Sequence, residues 1–136
     1  MDEPAAVGAM PVFELVEDAV VAVLPDTSLR EVAEALAGAN IGIVVVGDAE
    51  RVSGVISERD VVRAVAGRKD PVTTQATDIA NSPIWCDATA TIAEVAEEMM
   101  EHYVRHILVE EDGRFVGVVS ARDLLGAYAA ADVEFE

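Results

Sequence analysis

The sequence predicts an α+β protein made of two copies of one β-α-β-β-α unit. Three observations carry that reading. The chain repeats itself without a gap at a period of 63 residues: Pro25 to Val62 laid over Ala88 to Leu125 gives 11 identities in 38 positions, and ten further positions exchange one apolar residue for another. Each copy opens on a helix-start signal and continues into two apolar runs around a turn. With 136 residues and 52 % apolar content, the chain can also build a core without disulfide or metal support.

The first helix of each copy begins with a capping box. Ser28 with Glu31, and Thr91 with Glu94, set a hydroxyl three residues before a carboxylate, which satisfies orphan amides of the first turn. Leu29, Val32, Ala33 and Leu36 then recur at i, i+3, i+4 and i+7, as do Ile92, Val95, Ala96 and Met99, so one face of each helix belongs to a core. Ile43 to Val46 and Val52 to Ile56 flank Gly47-Asp48-Ala49-Glu50-Arg51 as a hairpin; His106 to Glu110 and Phe115 to Val119 flank Asp112-Gly113 likewise. Short helices are expected from about Ser57 to Ala66 and from about Ser120 to Ala129.

Trp85 and Cys86 fall on the first strand of the second copy and read as core. Gly67-Arg68-Lys69-Asp70-Pro71 is the clearest breaker and marks the joint between copies, giving domains at residues 11–68 and 74–129. Residues 1–10 and the acidic tail Asp132 to Glu136 read as loosely held. Neither copy buries much surface alone, so the two are expected to pack sheet to sheet as one body.

Charge excludes some functions. A formal net charge of −17, with no cluster of basic residues to override it, opposes binding to nucleic acid or to an anionic membrane. Lys69 stands beside eight arginines, a composition that fits either a halophile or a GC-rich genome. Apolar runs such as Ala19 to Leu24 fall far short of the ~20 residues that cross a bilayer. Cys86 has no second cysteine to pair with, and the start Met1-Asp2-Glu3-Pro4 lacks the features of a secretory signal, so a cytoplasmic protein is expected.

The most specific strings are Gly54-Val55-Ile56-Ser57-Glu58-Arg59-Asp60-Val61-Val62 and its copy Gly117-Val118-Val119-Ser120-Ala121-Arg122-Asp123-Leu124-Leu125. Together with Pro25-Asp26-Thr27-Ser28-Leu29 and Tyr103-Val104-Arg105-His106-Ile107-Leu108-Val109, they resemble the cystathionine β-synthase (CBS) domain family over roughly residues 11 to 129. Members of that family occur in pairs that form a Bateman module. The resemblance implies a cleft between the paired domains that holds an adenosine-containing ligand such as AMP, ATP, NAD or S-adenosylmethionine, and dimerisation through the helices.

The residues give that implication a physical reason. Ser57 and Ser120 stand where a strand gives way to a helix, so their hydroxyls and the first-turn amides offer donors to a phosphate. Arg59 and Arg122 supply local positive charge, and Asp60 and Asp123 supply carboxylates able to accept both hydroxyls of a ribose. The same Ser-x-x-Asp spacing also makes a capping box, which needs no ligand. Arg105 and His106 occupy the positions of Gly42 and Ile43 in the first copy, adding one fixed and one titratable positive charge beside the second motif. His102 and His106 are four apart, but a helix ending near Tyr103 separates their faces, and no metal site is expected.

No Cys-His pair, serine triad, zinc spacing or glycine-rich dinucleotide loop occurs, so the chain reads as a non-enzyme with no obligatory cofactor. Two functions are compatible with it. The first is a regulatory module that binds an adenine nucleotide and signals to an unidentified protein partner. The alternative is a ligand-free acidic interaction or stress-response scaffold. A homodimer is expected in both cases, from Val61, Val62, Val65, Leu124, Leu125 and Ala129 on the final helices of the repeats.

Overall fold

The computed structural model describes residues 4–17, 19–39, 41–48 and 50–133. Two compact units divide the chain. One is the continuous stretch Val20–Pro83; the other joins the residues up to Ala19 with those from Ile84 onward. Each unit holds a three-stranded sheet.

In the first unit, β1 (Ala22–Val23) lies parallel to β2 (Ile43–Gly47), which runs antiparallel to β3 (Val52–Ser57). Between β1 and β2 comes α2 (Leu29–Ala39), named after the short N-terminal helix α1 (Pro4–Gly8). Glu31 N–H donates to Ser28 Oγ at 3.1 Å, and Ser28 N–H and Oγ donate to the Glu31 carboxylate at 3.3 and 3.0 Å, so the capping box expected at Ser28 is complete. Leu29, Val32 and Leu36 are buried along one face, and Val32 and Leu36 meet Val44, Val46, Ile56 and Ala76 in the core. At the hairpin, Asp48 Oδ1 accepts the Glu50 and Arg51 amides at 2.8 Å, and Gly47 takes φ 116°, where a Cβ would stand 2.2 Å from the Arg51 carbonyl oxygen. Only glycine fits that bulge.

Past α3 (Glu58–Ala66), the chain turns at Arg68, φ 62°, and runs back over its own unit. Leu29 N–H donates to Thr74 O, Arg30 N–H to Pro71 O and Ala76 N–H to Thr27 O; the short α4 (Ala76–Ile79) follows, and Asn81 pairs with Val55 in both directions at 2.9 Å. The breaker at residues 67–71 is therefore a turn inside a compact unit, which extends to Pro83. As compact bodies the halves are cut differently from the repeated text.

The second unit has the same plan. Strand β4 (Trp85–Asp87) lies parallel to β5 (His106–Glu111), which pairs antiparallel with β6 (Arg114–Ser120). Helix α5 (Ile92–His102) starts at the Thr91/Glu94 capping box and ends at Tyr103 in the left-handed conformation, φ 55°. Helix α6 (Ala121–Val133) closes the unit and runs longer than the periodicity indicated. Trp85 is not core: it is exposed on one side and packs edge to face on Phe115, with centroids 5.8 Å apart.

The N-terminal residues differ most from expectation. Val7 and Val12 are buried in the second unit's core with Ile92, Val95, Ile107, Val119 and Leu124. Val12 N–H donates to Ala90 O at 2.7 Å, Ile92 N–H to Met10 O at 2.9 Å, and Glu17 exchanges two backbone hydrogen bonds with Val118 at 2.9 and 3.0 Å. Val7 and Met10 are thus packed on a core. Residues 1–3 and 134–136 lie outside the described residues, as does most of the acidic tail.

The motif glycines explain how both crossing segments fit. A Cβ on Gly54 would lie 2.9 Å from Ala80 Cβ, and one on Gly117, at φ 155°, would lie 2.4 Å from Glu17 O and 2.5 Å from Val16 Cγ1. Gly117→Ala is therefore expected to cost roughly 2–4 kcal/mol by urea denaturation, through overpacking against backbone and an unfavourable φ. Gly113→Ala, with φ 77° but open space around it, is expected to cost only about 1 kcal/mol.

Candidate functional site

Each candidate motif sits where the third strand of a sheet, at its edge, runs straight into a helix. Ser57 ends β3 in an extended conformation, φ −98° and ψ 168°, and caps α3. Asp60 N–H donates to Ser57 Oγ at 3.3 Å, while Ser57 N–H and Ser57 Oγ donate to Asp60 Oδ2 at 2.8 and 2.9 Å. In the second copy, Ser120 N–H donates to Asp123 Oδ2 at 2.9 Å and Asp123 N–H to Ser120 Oγ at 3.0 Å. Both aspartates are half-buried, and both arginines between cap and carboxylate, Arg59 and Arg122, are exposed.

These bonds narrow the chemistry open to a ligand. The Ser57 hydroxyl proton is committed to Asp60, the first-turn amide of Glu58 goes to Gly42 O at 3.1 Å, and that of Ala121 goes to Arg105 O at 2.8 Å. Of the donors expected to meet a phosphate, the arginine side chains, the Ser120 hydroxyl, which only accepts in its cap, and at most the Arg59 and Arg122 amides stand ready. Asp60 spends Oδ2 on its own cap and keeps Oδ1 for an outside hydroxyl. The capping role and a ligand role are compatible, since they use different oxygens.

The register then settles which residues come together. His106 is the cross-strand partner of Ser120, and the preceding residue, Arg105, accepts the Ala121 amide on its carbonyl, so the backbone of Arg105 and His106 runs beside the strand end that leads into Arg122 and Asp123. In the first unit the strand end at Ser57 leads likewise into Arg59 and Asp60, with Ile43 opposite Ser57 and Gly42 against the helix start. His102 ends α5 while His106 lies on β5, so the two histidines share no face. His102 Nε2 instead meets Glu98 Oε2 at 3.1 Å, on an exposed turn where Glu98, Glu101 and His102 place ligand atoms within 4.8 Å of one another.

Glu17 stands beside the second motif, and sequence reasoning missed it. Hydrogen bonding toward Asp123, the charge of Asp123 and slight burial push Glu17 above the usual carboxylate value, while Arg122 pulls the other way. In the first unit, the residue that pairs with the strand at the equivalent place is Asn81, which cannot titrate. The only sequence signal was the repeat itself, in which Val118 answers to Val55.

A family model for the CBS domain matches residues 12–67 and 76–130. The chain belongs to the CBS domain family. Among solved structures, a CBS domain protein from Pyrobaculum aerophilum complexed with AMP is 36 % identical at TM-score 0.78, over 89 % of this chain and 99 % of that one. A conserved protein of Pyrococcus horikoshii is 29 % identical at TM-score 0.81, over 93 % and 94 %. Hypoxic response protein 1 of Mycobacterium tuberculosis is 38 % identical over 80 residues, which is 57 % of this chain and 56 % of that protein. The chain thus aligns with little more than half the length of that curated relative. Among the described residues of this CBS pair, no helix is long and apolar enough to cross a membrane.

The single cysteine of the CBS pair is chemically quiet. Cys86 is half-buried on β4; desolvation first, then the charges of Asp87, Glu110 and Glu98, push its thiol up to about 11. Alkylation by iodoacetamide near pH ~8 is expected to run roughly a hundredfold slower than for an unhindered thiol, and to accelerate as pH rises further. A rate equal to that of free cysteine would contradict this environment.

Proposed function

We propose that this CBS pair is a regulatory module that binds an adenosine-containing nucleotide, of the AMP, ATP, NAD or S-adenosylmethionine class, and passes the binding event to a protein partner without catalysing a reaction. The observation that carries the reading is the doubled Ser-x-Arg-Asp motif, which sets a half-buried carboxylate beside an exposed guanidinium at the start of a helix in both units. A relative 36 % identical over nearly its whole length was solved with AMP, which supports the same class of ligand. In this reading Asp60 or Asp123 accepts a ribose hydroxyl, Arg59 or Arg122 meets phosphate, and Arg105 and His106 add charge to the second motif. One unpaired thiol is consistent with work in the reducing cytoplasm.

The completed capping boxes favour a second reading, since they make the motif useful with no ligand: an acidic interaction scaffold. A thermal-shift screen with AMP, ATP, NAD and S-adenosylmethionine separates the two, because a ligand at 100 times its dissociation constant adds about 2.7 kcal/mol of stability. No shift with any of the four would favour the scaffold.

Charged hydrogen bonds to a hydroxyl are typically worth ~1.5–3 kcal/mol, so the 2′-deoxy analogue of the bound nucleotide is expected to lose roughly tenfold or more in affinity. Asp→Ala at the occupied motif should lose a similar amount in calorimetry, and Asp→Ala at the other motif little. Equal affinity for ribose and deoxyribose forms would reduce the aspartates to caps.

The CBS pair is also proposed to form a homodimer. Val62, Val65 and Leu125 are each more than 60 % exposed on α3 and α6, whereas Leu124 turns inward to its own core. Light scattering is expected to give about twice 14.4 kDa in both low and high salt. A monomer at tens of micromolar protein would refute this.

A further inference from the structure

The two motifs carry the same text in different surroundings. In each unit the motif serine stands directly across from one residue of the middle strand, His106 for Ser120 and Ile43 for Ser57. The Ala121 amide bonded to Arg105 O, and the Glu58 amide bonded to Gly42 O, flank these pairs from outside, which makes each a non-hydrogen-bonded pair. In such a pair the two Cα atoms are about 4.5 Å apart and both side chains leave the sheet on one face. The second serine therefore shares its face with an imidazole, and the first with a branched hydrocarbon.

The hydroxyls differ as well. Ser57 Oγ gives its proton to Asp60 Oδ2 at 2.9 Å, so a phosphate that takes this proton strips the carboxylate of a donor. Ser120 Oγ accepts the Asp123 amide at 3.0 Å and keeps its proton for an outside acceptor. The charges follow the same division. Glu58 opens α3 where Ala121 opens α6, and Glu58 and Asp60 outnumber Arg59 at the first motif. At the second, Arg105 and Arg122 balance Asp123 and Glu17, which stands where the first unit has the neutral Asn81.

We propose that phosphate affinity resides in the second motif: it takes an adenosine phosphate, with the Ser120 hydroxyl donating to the anion beside Arg105 and His106, whereas the first motif gains nothing from a phosphate on the same nucleoside. This rests on the nucleotide reading above and adds which motif reads the charge. The shared parts of the motif, the arginine and the aspartate, cancel in the comparison. What separates the two sites is one uncommitted hydroxyl, one cross-strand neighbour and the first residue of a helix.

The test uses the whole chain, isotope-labelled for amide NMR, with adenosine and AMP as probes. The amides of Ser57 to Asp60 and of Ser120 to Asp123 report the two motifs separately. AMP is expected to perturb the second set at a roughly tenfold lower concentration than adenosine does, the scale of one hydrogen bond to a charged group, and the first set at about the same concentration as adenosine. Ser120→Ala should remove most of that AMP preference. Because losing the cap also weakens α6, Arg105→Gln at an exposed position is the second variant, and it should lower the preference more at low salt than at high.

AMP that perturbs the first set before the second, or both sets at one concentration, overturns the assignment and leaves nucleotide binding standing. An AMP preference that survives unchanged in both variants overturns it too, and reduces the Ser120 hydroxyl to a cap. If neither adenosine nor AMP at millimolar concentration perturbs either set, the nucleotide reading falls and the assignment falls with it.

Discussion

At two places in this protein a backbone segment from elsewhere in the chain crosses the edge strand of a sheet so closely that no side chain fits beneath it. Gly54 and Gly117 supply those places, and the crossing segments exchange amide and carbonyl with Val55 and Val118. A great deal follows from the contact. Pairing satisfies an edge that β3 or β6 would otherwise leave open, and it pins the segment that leads into each unit. Three residues on from each glycine, a serine ends the strand and caps a helix, so the motif is one continuous device: close approach, strand end, cap, carboxylate.

The caps have a second consequence for binding. Asp60 Oδ2 is tied to a backbone amide and a hydroxyl, so the carboxylate is oriented before any ligand arrives. Pre-orientation removes part of the entropy that a free side chain loses on binding. The same bonds withdraw the Ser57 hydroxyl as a donor. In a protein of net charge −17, the guanidinium groups of Arg59 and Arg122 are local exceptions that an anionic ligand would have to find at short range.

Much of this was legible from the residues. The 63-residue repeat, the capping boxes at Ser28 and Thr91, the hairpins and the helix starts at Ser57 and Ser120 all depend on contacts within a few residues, and local chemistry announces them. The place of Glu17 was not legible, because its partner Val118 is about a hundred residues away and no periodicity links them. For the same reason Val7 read as part of a loose end, although it is buried in the second unit's core. Trp85 was misplaced because an apolar ring on a strand gives no sign of which face is covered; here Phe115 shields one side only. Alternation over three residues is too short to settle that.

The N-terminal segment has one more consequence, in the order of events during synthesis. Val20–Pro83 is continuous, and all its strand partners have left the ribosome before the second unit begins. Val7, Val12 and Glu17, made before the first unit, must wait until β6 and α6 emerge after it, and closing so long a loop costs entropy before any contact rewards it. The middle of the chain can therefore fold while the segments on either side of it are still strangers, and the second unit forms only once β6 and α6 have emerged. A stop codon near the end of the message would leave a folded first half with an unpaired apolar leader, a species that chaperones and proteases are built to recognise.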